Sequence, residues 1–292
     1  MGRWREMAID GFVLDLPDTE TNVAEFGKDS SGGYETAFPQ ARVVAISECA
    51  SHAIVAADVA DCWAGEQTLA FSLYEHLNED MLLTADRGFY SFAAWGQARG
   101  SAAHLLWRLQ AGVRLDWSSD LADGSWLAVI TKPRLRQECK TRLRAAAQAG
   151  HDLDPEEAVV VRVVVDYTVP DRRGETIRLI TSILDPDDAT AEQLARCYHA
   201  RWEAETGFDQ LKTHLRGPGR ILRSRTSAAT AVAVPVARAG GVPASRLAPR
   251  AVARANDHVF RLIGGSSARG LLSLTRGGGT AGLAVFRETC TS

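Results

Sequence analysis

Three carboxylates and a small polar cluster carry the chemistry open to this 292-residue sequence. Asp10 lies in MAIDGFVLDL and Asp86 in MLLTADRG, while Glu205 shares YHARWEAETGFDQLKTHLRG with Tyr198, Arg201 and Lys212. Two aspartates and a glutamate meeting at one rim suit a pair of divalent cations about 3.5 to 4 Å apart, the arrangement used for in-line displacement at phosphorus. Carboxylates are the right donors because Mg²⁺, or Mn²⁺ in its place, is a hard ion that prefers oxygen. One ion would lower the pKa of an attacking water or 3′-hydroxyl, and the other would stabilise the leaving oxygen. Arg201 would then grip phosphate with a bidentate fork and Lys212 would act as a point charge. Tyr198 can donate to a phosphate or stack on a base.

Each residue alone also has a plainer reading. Asp10 can be an ordinary strand acid, Asp86 a turn residue before Arg87 and Gly88, and Glu205 with Arg201 an i,i+4 ion pair on a solvated helix face. Asp15 and Asp18 compete with Asp10, but Asp15 points to the opposite strand face and Asp18 follows Pro17 in a loop. The joint occurrence of all six residues favours the site.

The elements that must position these residues follow from periodicity. MAIDGFVLDL from Met7, ARVVAISECA from Ala41 and HAIVAADVAD from His52 alternate as strands and predict an antiparallel meander. GEQTLAFSLYEHL from Gly65 predicts an amphipathic helix, and MLLTAD from Met81 a buried strand. The order β-β-β-α-β puts Asp86 at a strand's C-terminal end, where ligand sites of open α/β sheets lie, and lets Asp10 share that rim. Residues 104–184 are β-rich, with a hairpin at Asp123-Gly124 and runs from Val159 and Thr176, and predict an inserted subdomain. Within it, KPRLRQECKTRLRAAAQAGHDLDPEE reads as a surface connection or short helix.

A long helix follows, with Thr190 and Gln193 in capping-box spacing and Gly217-Pro218 at its end. At ~100° per residue, Tyr198, Arg201, Glu205 and Lys212 form one stripe about 60° wide. Ala204, Phe208, Leu211 and Leu215 form the neighbouring face expected to pack. The predicted organisation is therefore residues 1–103 as the first part of the core, 104–184 as the β-rich insertion, 185–225 as the motif helix and 226–292 as a tail.

Composition removes whole classes of function. With 46% hydrophobic and 24% charged residues, the chain is neither disordered nor fibrous. It has no apolar run long enough to span a membrane and no signal-peptide core at its start, so no membrane role and a cytoplasmic location are expected. Five scattered cysteines without C-x-x-C spacing point to reduced thiols. H-E-x-x-H, Walker, G-x-S-x-G and Rossmann signatures are all missing from the sequence. The net charge of −3 hides a split: residues 226–292 hold eight Arg and two acids, against 25 basic and 34 acidic residues before them. That tail is dominated by Ala, Arg, Gly, Ser and Pro, and it predicts either a flexible arm or a reading frame shifted near Ser227. Trp107, Trp117 and Trp126 are expected mainly as core or interface residues.

The motif block resembles the DDE transposases of bacterial insertion sequences of the IS-four type. YHARWEAETGFDQLKTHLRG matches that family's Y-x-x-R-x-x-x-E-x6-K motif at Tyr198, Arg201, Glu205 and Lys212, and LLTADRGFYSFAAW looks like the region of its second aspartate, Asp86. AIDGFVLDLPDT looks like the first-aspartate region, Asp10, with Phe12 where a Thr is common. The resemblance covers about residues 3–225. It implies an α/β fold: a ribonuclease-H-like mixed sheet flanked by helices, with an inserted β-rich subdomain between Asp86 and Glu205. It further implies DNA cleavage at inverted repeats, strand transfer into target DNA, and a homodimer in the synaptic complex.

The chain begins nine residues before Asp10, so the helical repeat-recognition region usual in relatives is expected to be missing. An inactive truncated remnant, or a DNA-binding and dimerising inhibitor of a full-length relative, is the alternative reading. A cellular ribonuclease-H-like nuclease would need the carboxylates but not the Tyr, Arg and Lys stripe, and ranks last.

Overall fold

The computed structural model describes residues 3–30, 33–168 and 176–209. Strand β1 (Arg5–Asp15) sends Met7 and Ile9 to one face and Ala8, Phe12 and Leu14 to the other, all buried, as the two-residue repeat of a strand requires. It pairs antiparallel with β2 (Gln40–Glu48), which pairs antiparallel with β3 (Ile54–Ala60), so the predicted meander forms. A short helix absent from the sequence reading, α1 (Glu20–Phe26), lies between β1 and β2. Thr19 caps it by accepting from the Asn22 N–H at 3.3 Å, and Gly27 ends it at φ +69°, where a side chain would be strained.

Helix α2 (Glu66–Leu73) continues as a 3₁₀ turn over Tyr74–His76 and leads into β4 (Met81–Ala85), every residue of which is buried. Helix α3 (Phe92–Arg99) is capped by Ser91 and leads to β5 (His104–Arg108). β4 runs parallel to both β1 and β5. The β-rich stretch then supplies β6 (Asp116–Asp120), β7 (Trp126–Thr131), β8 (Ala158–Thr168) and β9 (Thr176–Thr181). β6 and β7 form the predicted hairpin around Asp123-Gly124, with Gly124 at φ +81°. These strands do not close a sheet of their own. β9 pairs with β5, giving one nine-stranded mixed sheet in the order β3-β2-β1-β4-β5-β9-β8-β7-β6.

Helices cover both faces of that sheet. On one, Leu69, Ala70 and Leu73 of α2 and Ala94, Trp95 and Ala98 of α3 pack on Met7, Ile9, Leu83 and Trp107. Trp107 is wholly buried in an edge-on contact with Trp95, with ring centroids 5.4 Å apart, which makes it a core residue. On the other face α4 (Gln137–Gln148) inserts Leu143 against Val129 and Ala158, so the basic connection is indeed a helix. Beside it on that face lies α5 (Ala191–Asp209). The expected helix end at Gly217-Pro218, and the tail from Thr226, lie outside the described residues. Among the described residues no helix is long and apolar enough to cross a membrane.

Candidate active site

Strand register brings the two aspartates together. The parallel ladder of β1 and β4 ends with Ile9 opposite Ala85, so Asp10 and Asp86 are the next residue of each neighbouring chain. Adjacent strands lie about 4.8 Å apart, which sets the spacing of the two backbones. Asp10 has the parity of Ala8, and Asp86 that of Leu82, which packs against Leu194, Cys197 and Tyr198 of α5. Both acids therefore belong to the face that α5 covers. The register of the two strands is pinned by their backbone ladder and by the buried Thr84 hydroxyl, which donates to the Met7 carbonyl at 2.9 Å. The turn after β4 is fixed by the Phe89 N–H donating to the Asp86 carbonyl at 3.0 Å.

The start of α5 is set by the capping box read from the sequence. The Gln193 N–H donates to Thr190 Oγ1 at 3.3 Å, and the Thr190 N–H donates to Gln193 Oε1 at 2.9 Å. One turn later the helix buries Leu194, Cys197 and Tyr198 against Leu82, Leu106, Val164, Leu179 and Ile183. Tyr198 is 2% exposed and its hydroxyl donates to Asp86 Oδ1 across a long 3.5 Å. Arg201 is 5% exposed, with its guanidinium carbon 5.5 Å from the centre of the Tyr198 ring, within cation-π range. Burial, helped by the Asp86 charge, pushes the Tyr198 phenol far up, against the opposing pull of Arg201 and Arg108. The hydroxyl thus stays protonated and can serve as a donor at neutral pH.

Of the stripe expected to border a packed face, Tyr198 and Arg201 are themselves buried. The buried residues among the described side chains of α5, Leu194, Cys197, Tyr198 and Arg201, span about 100° of helix surface, so Tyr198 and Arg201 are packed inward. For Tyr198 the buried hydroxyl finds a polar partner in Asp86, at the edge of the interface. Glu205 stands on the same helix, seven residues and about two turns beyond Tyr198, and its side chain lies outside the described residues. Lys212 also lies outside them. Among the described residues no group of three His, Cys, Asp or Glu side chains could hold a metal ion. The structure thus joins Asp10, Asp86, Tyr198 and Arg201, and carries Glu205 on the helix that meets them.

One site residue was absent from the sequence reading. Arg108, at the end of β5, holds Nη1 3.7 Å from Asp86 Oδ1 and is 13% exposed. A single Arg outside any motif carries no signal of its own. Its place at the C-terminal end of the strand parallel to β4 is the cue that could have marked it.

The profile of the family described as "Transposase DDE domain" matches residues 5–234 of the chain. A relative from Escherichia coli (strain K12), the transposase InsG for insertion sequence element IS4, is 27% identical over 223 residues, covering 75% of this chain and 46% of its own length. The chain thus spans about half the length of this curated relative. Among solved structures, the cryo-EM synaptic complex of piggyBac transposase with hairpin DNA aligns with a TM-score of 0.43 and 8% identity, covering 88% of this chain and 47% of that one.

Proposed function

Because the chain belongs to the transposase DDE domain family, we propose that it is a catalytic domain that cuts DNA at the ends of an insertion sequence and joins those ends to target DNA. The observation that carries this reading is that Asp10 and Asp86 each stand one residue beyond Ile9–Ala85, the last pair of the parallel β1–β4 ladder, with the Tyr198 hydroxyl on Asp86. The antiparallel β1–β2–β3 meander, followed by α2 and by β4 parallel to β1, supports its ribonuclease-H-like character.

The donor set fits a divalent ion, since two hard carboxylates belong to neighbouring strand ends on the face that the helix bearing Glu205 covers. Asp10, Asp86 and Glu205 would hold Mg²⁺ or Mn²⁺. Two such ions, when bound, supply activation of the attacking hydroxyl and stabilisation of the leaving oxygen. The protein's own residues do the rest. Tyr198, kept protonated by burial, donates to a phosphate oxygen. Arg201 and Arg108 place positive charge beside the same point, with Arg108 Nη1 3.7 Å from Asp86 Oδ1. Lys212 adds a further charge toward phosphate. The substrate is double-stranded DNA carrying the inverted repeats and then the target, bound by a homodimer.

The test is nicking and joining of the flanking inverted repeats by the purified chain with Mg²⁺ or Mn²⁺. Asp10→Ala, Asp86→Ala and Glu205→Ala should each abolish it while circular dichroism stays parental. A Glu205→Ala variant that cuts as fast as the parent would refute the assignment of the third carboxylate.

A further inference from the structure

We propose that Asp123 and Arg162, far from the three carboxylates in sequence and on other elements, form a clamp that sets the position of α5 and thereby aligns Tyr198, Arg201 and Glu205 with the aspartates. Arg162, on β8, has no exposed surface at all. Its guanidinium ties β8 to two other chain segments, the β6–β7 turn and the loop before α5. Nε donates to Ser125 Oγ at 2.7 Å, Nη1 donates to the carbonyls of Ala189 at 2.7 Å and Asp185 at 3.3 Å, and Nη2 pairs with Asp123. Asp123, in the β6–β7 turn, uses the same oxygen Oδ2 to accept from the Ala191 N–H at 2.7 Å. Ala191 is the first residue of α5. A carboxylate from another hairpin therefore sits on the N-terminus of the motif helix, where the helix dipole favours negative charge, and a buried arginine holds it there.

Stability alone does not explain this choice of residues. A buried ion pair pays a large desolvation cost, and replacing such a pair with packed apolar side chains is often neutral or stabilising. What apolar side chains lack is direction: a planar fork with fixed donors specifies where the loop carbonyls and the helix start must lie. The leverage of that specification is large, because α5 is a rod. Tyr198 lies about 10 Å and Glu205 about 21 Å along the axis from Ala191, and a 20° rotation of the helix would move side-chain tips by about 2 Å. A displacement of ~1 Å at a catalytic group can cost about 100-fold in rate. The pair acts through the helix and touches none of the site residues, so both members are positioning residues.

The proposal rests on the reading of the site given above, and its test keeps the two apart. The full chain and the double exchange Asp123→Leu/Arg162→Met are compared by hydrogen exchange of backbone amides and by single-turnover nicking at saturating DNA. The expected result is a melting temperature near the parent's, α5 amides exchanging about tenfold faster or more with β1 and β4 unchanged, nicking slowed about tenfold or more, and DNA affinity unaltered. Equal protection of α5 in the two proteins overturns the clamp. So does faster exchange in α5 with nicking at the parental rate. If neither protein nicks DNA while α5 loosens in the variant, the clamp on the helix stands and the transposition reading fails. Should the double exchange not fold, Asp123→Asn serves in its place. It keeps an oxygen toward the Ala191 amide but loses the charge, and it should loosen the first turns of α5; unchanged exchange there overturns the proposal.

Discussion

Tyr198 separates packing from chemistry within a single side chain. Tyr198→Phe removes one oxygen, whereas Tyr198→Ala removes a ring that is 2% exposed and packed on Leu82, Leu106 and Leu194. The oxygen contributes little to folding. An O–H···O bond is best near 2.7–2.8 Å, and the Tyr198–Asp86 contact is 3.5 Å long, so its loss should cost less than about 1 kcal/mol. Asp86 also keeps Arg108 at 3.7 Å, so it is not left without a counter-charge. Loss of the ring leaves a cavity and should cost about 3–5 kcal/mol. Urea unfolding of the parent and both variants reads these values from the shift in midpoint at constant slope. In the nicking assay the order changes, because the Phe variant keeps the packing but lacks the proton donor, and it should cut about tenfold more slowly, equivalent to about 1.4 kcal/mol of barrier. A Phe variant as destabilised as the Ala variant would show that the hydroxyl is a structural anchor. A Phe variant that cuts at the parental rate would remove it from the chemistry.

Arg108→Gln takes a partly buried charge from beside Asp86, and it should weaken DNA-end binding several-fold while changing stability by less than about 1 kcal/mol, measured by titration with labelled end DNA and by urea unfolding. Gly27→Ala should cost about 2 kcal/mol in the same unfolding assay, because Gly27 adopts φ +69° with ψ 175°, a region that belongs almost entirely to glycine. Gly11→Ala should be milder, since the atoms nearest the added carbon belong to the end of the flexible Glu66 side chain. Acid should unfold the protein partly through Asp123 and Glu48. Burial raises both carboxyls, but hydrogen bonds from Ser125 and Ala191 with the Arg162 charge at Asp123, and from Ser51 and Arg5 at Glu48, more than offset it and leave both below their ordinary values. Their contribution is present above the unfolded carboxylate value of about 4 and is lost as pH falls through the lower folded values. The melting temperature should hold from pH 7 to about 5 and drop below about 4, with a shallower drop in Glu48→Gln.

The strands around the site were legible because each writes its pattern locally. β1 alternates, β4 is short and wholly apolar, and the first meander follows from turn signals between alternating runs. The start of α5 was equally plain, since Thr190 and Gln193 are a local code for a helix N-terminus. What escaped was set by partners distant in sequence. The β-rich stretch reads as an insertion, yet its union with the core sheet depends on β9 pairing with β5 across some seventy residues, as in Trp107 opposite Ile180. Helix α1 is only seven residues long and sits in a polar connection, too short for periodicity to stand out. Arg108 and Arg162 are lone arginines in apolar strands. Nothing nearby in sequence distinguishes a solvated arginine from one folded around a carboxylate.

The same contrast separates the parts of the site by how firmly each is held. Asp10 and Asp86 are fixed relative to each other by a backbone hydrogen-bond ladder and the buried Thr84–Met7 bond, so their relation is nearly rigid. Helix α5 has no such ladder to the sheet. Its height and rotation depend on side-chain packing along Leu194, Cys197 and Tyr198, and on the hydrogen bonds gathered at its first turn. Apolar packing is non-directional and tolerates small shifts, so it secures contact better than it secures alignment. A third carboxylate carried two turns beyond Tyr198 magnifies any error at the helix start. The demand for directional bonds is therefore greatest where α5 begins, and that is where the fully buried arginine is found.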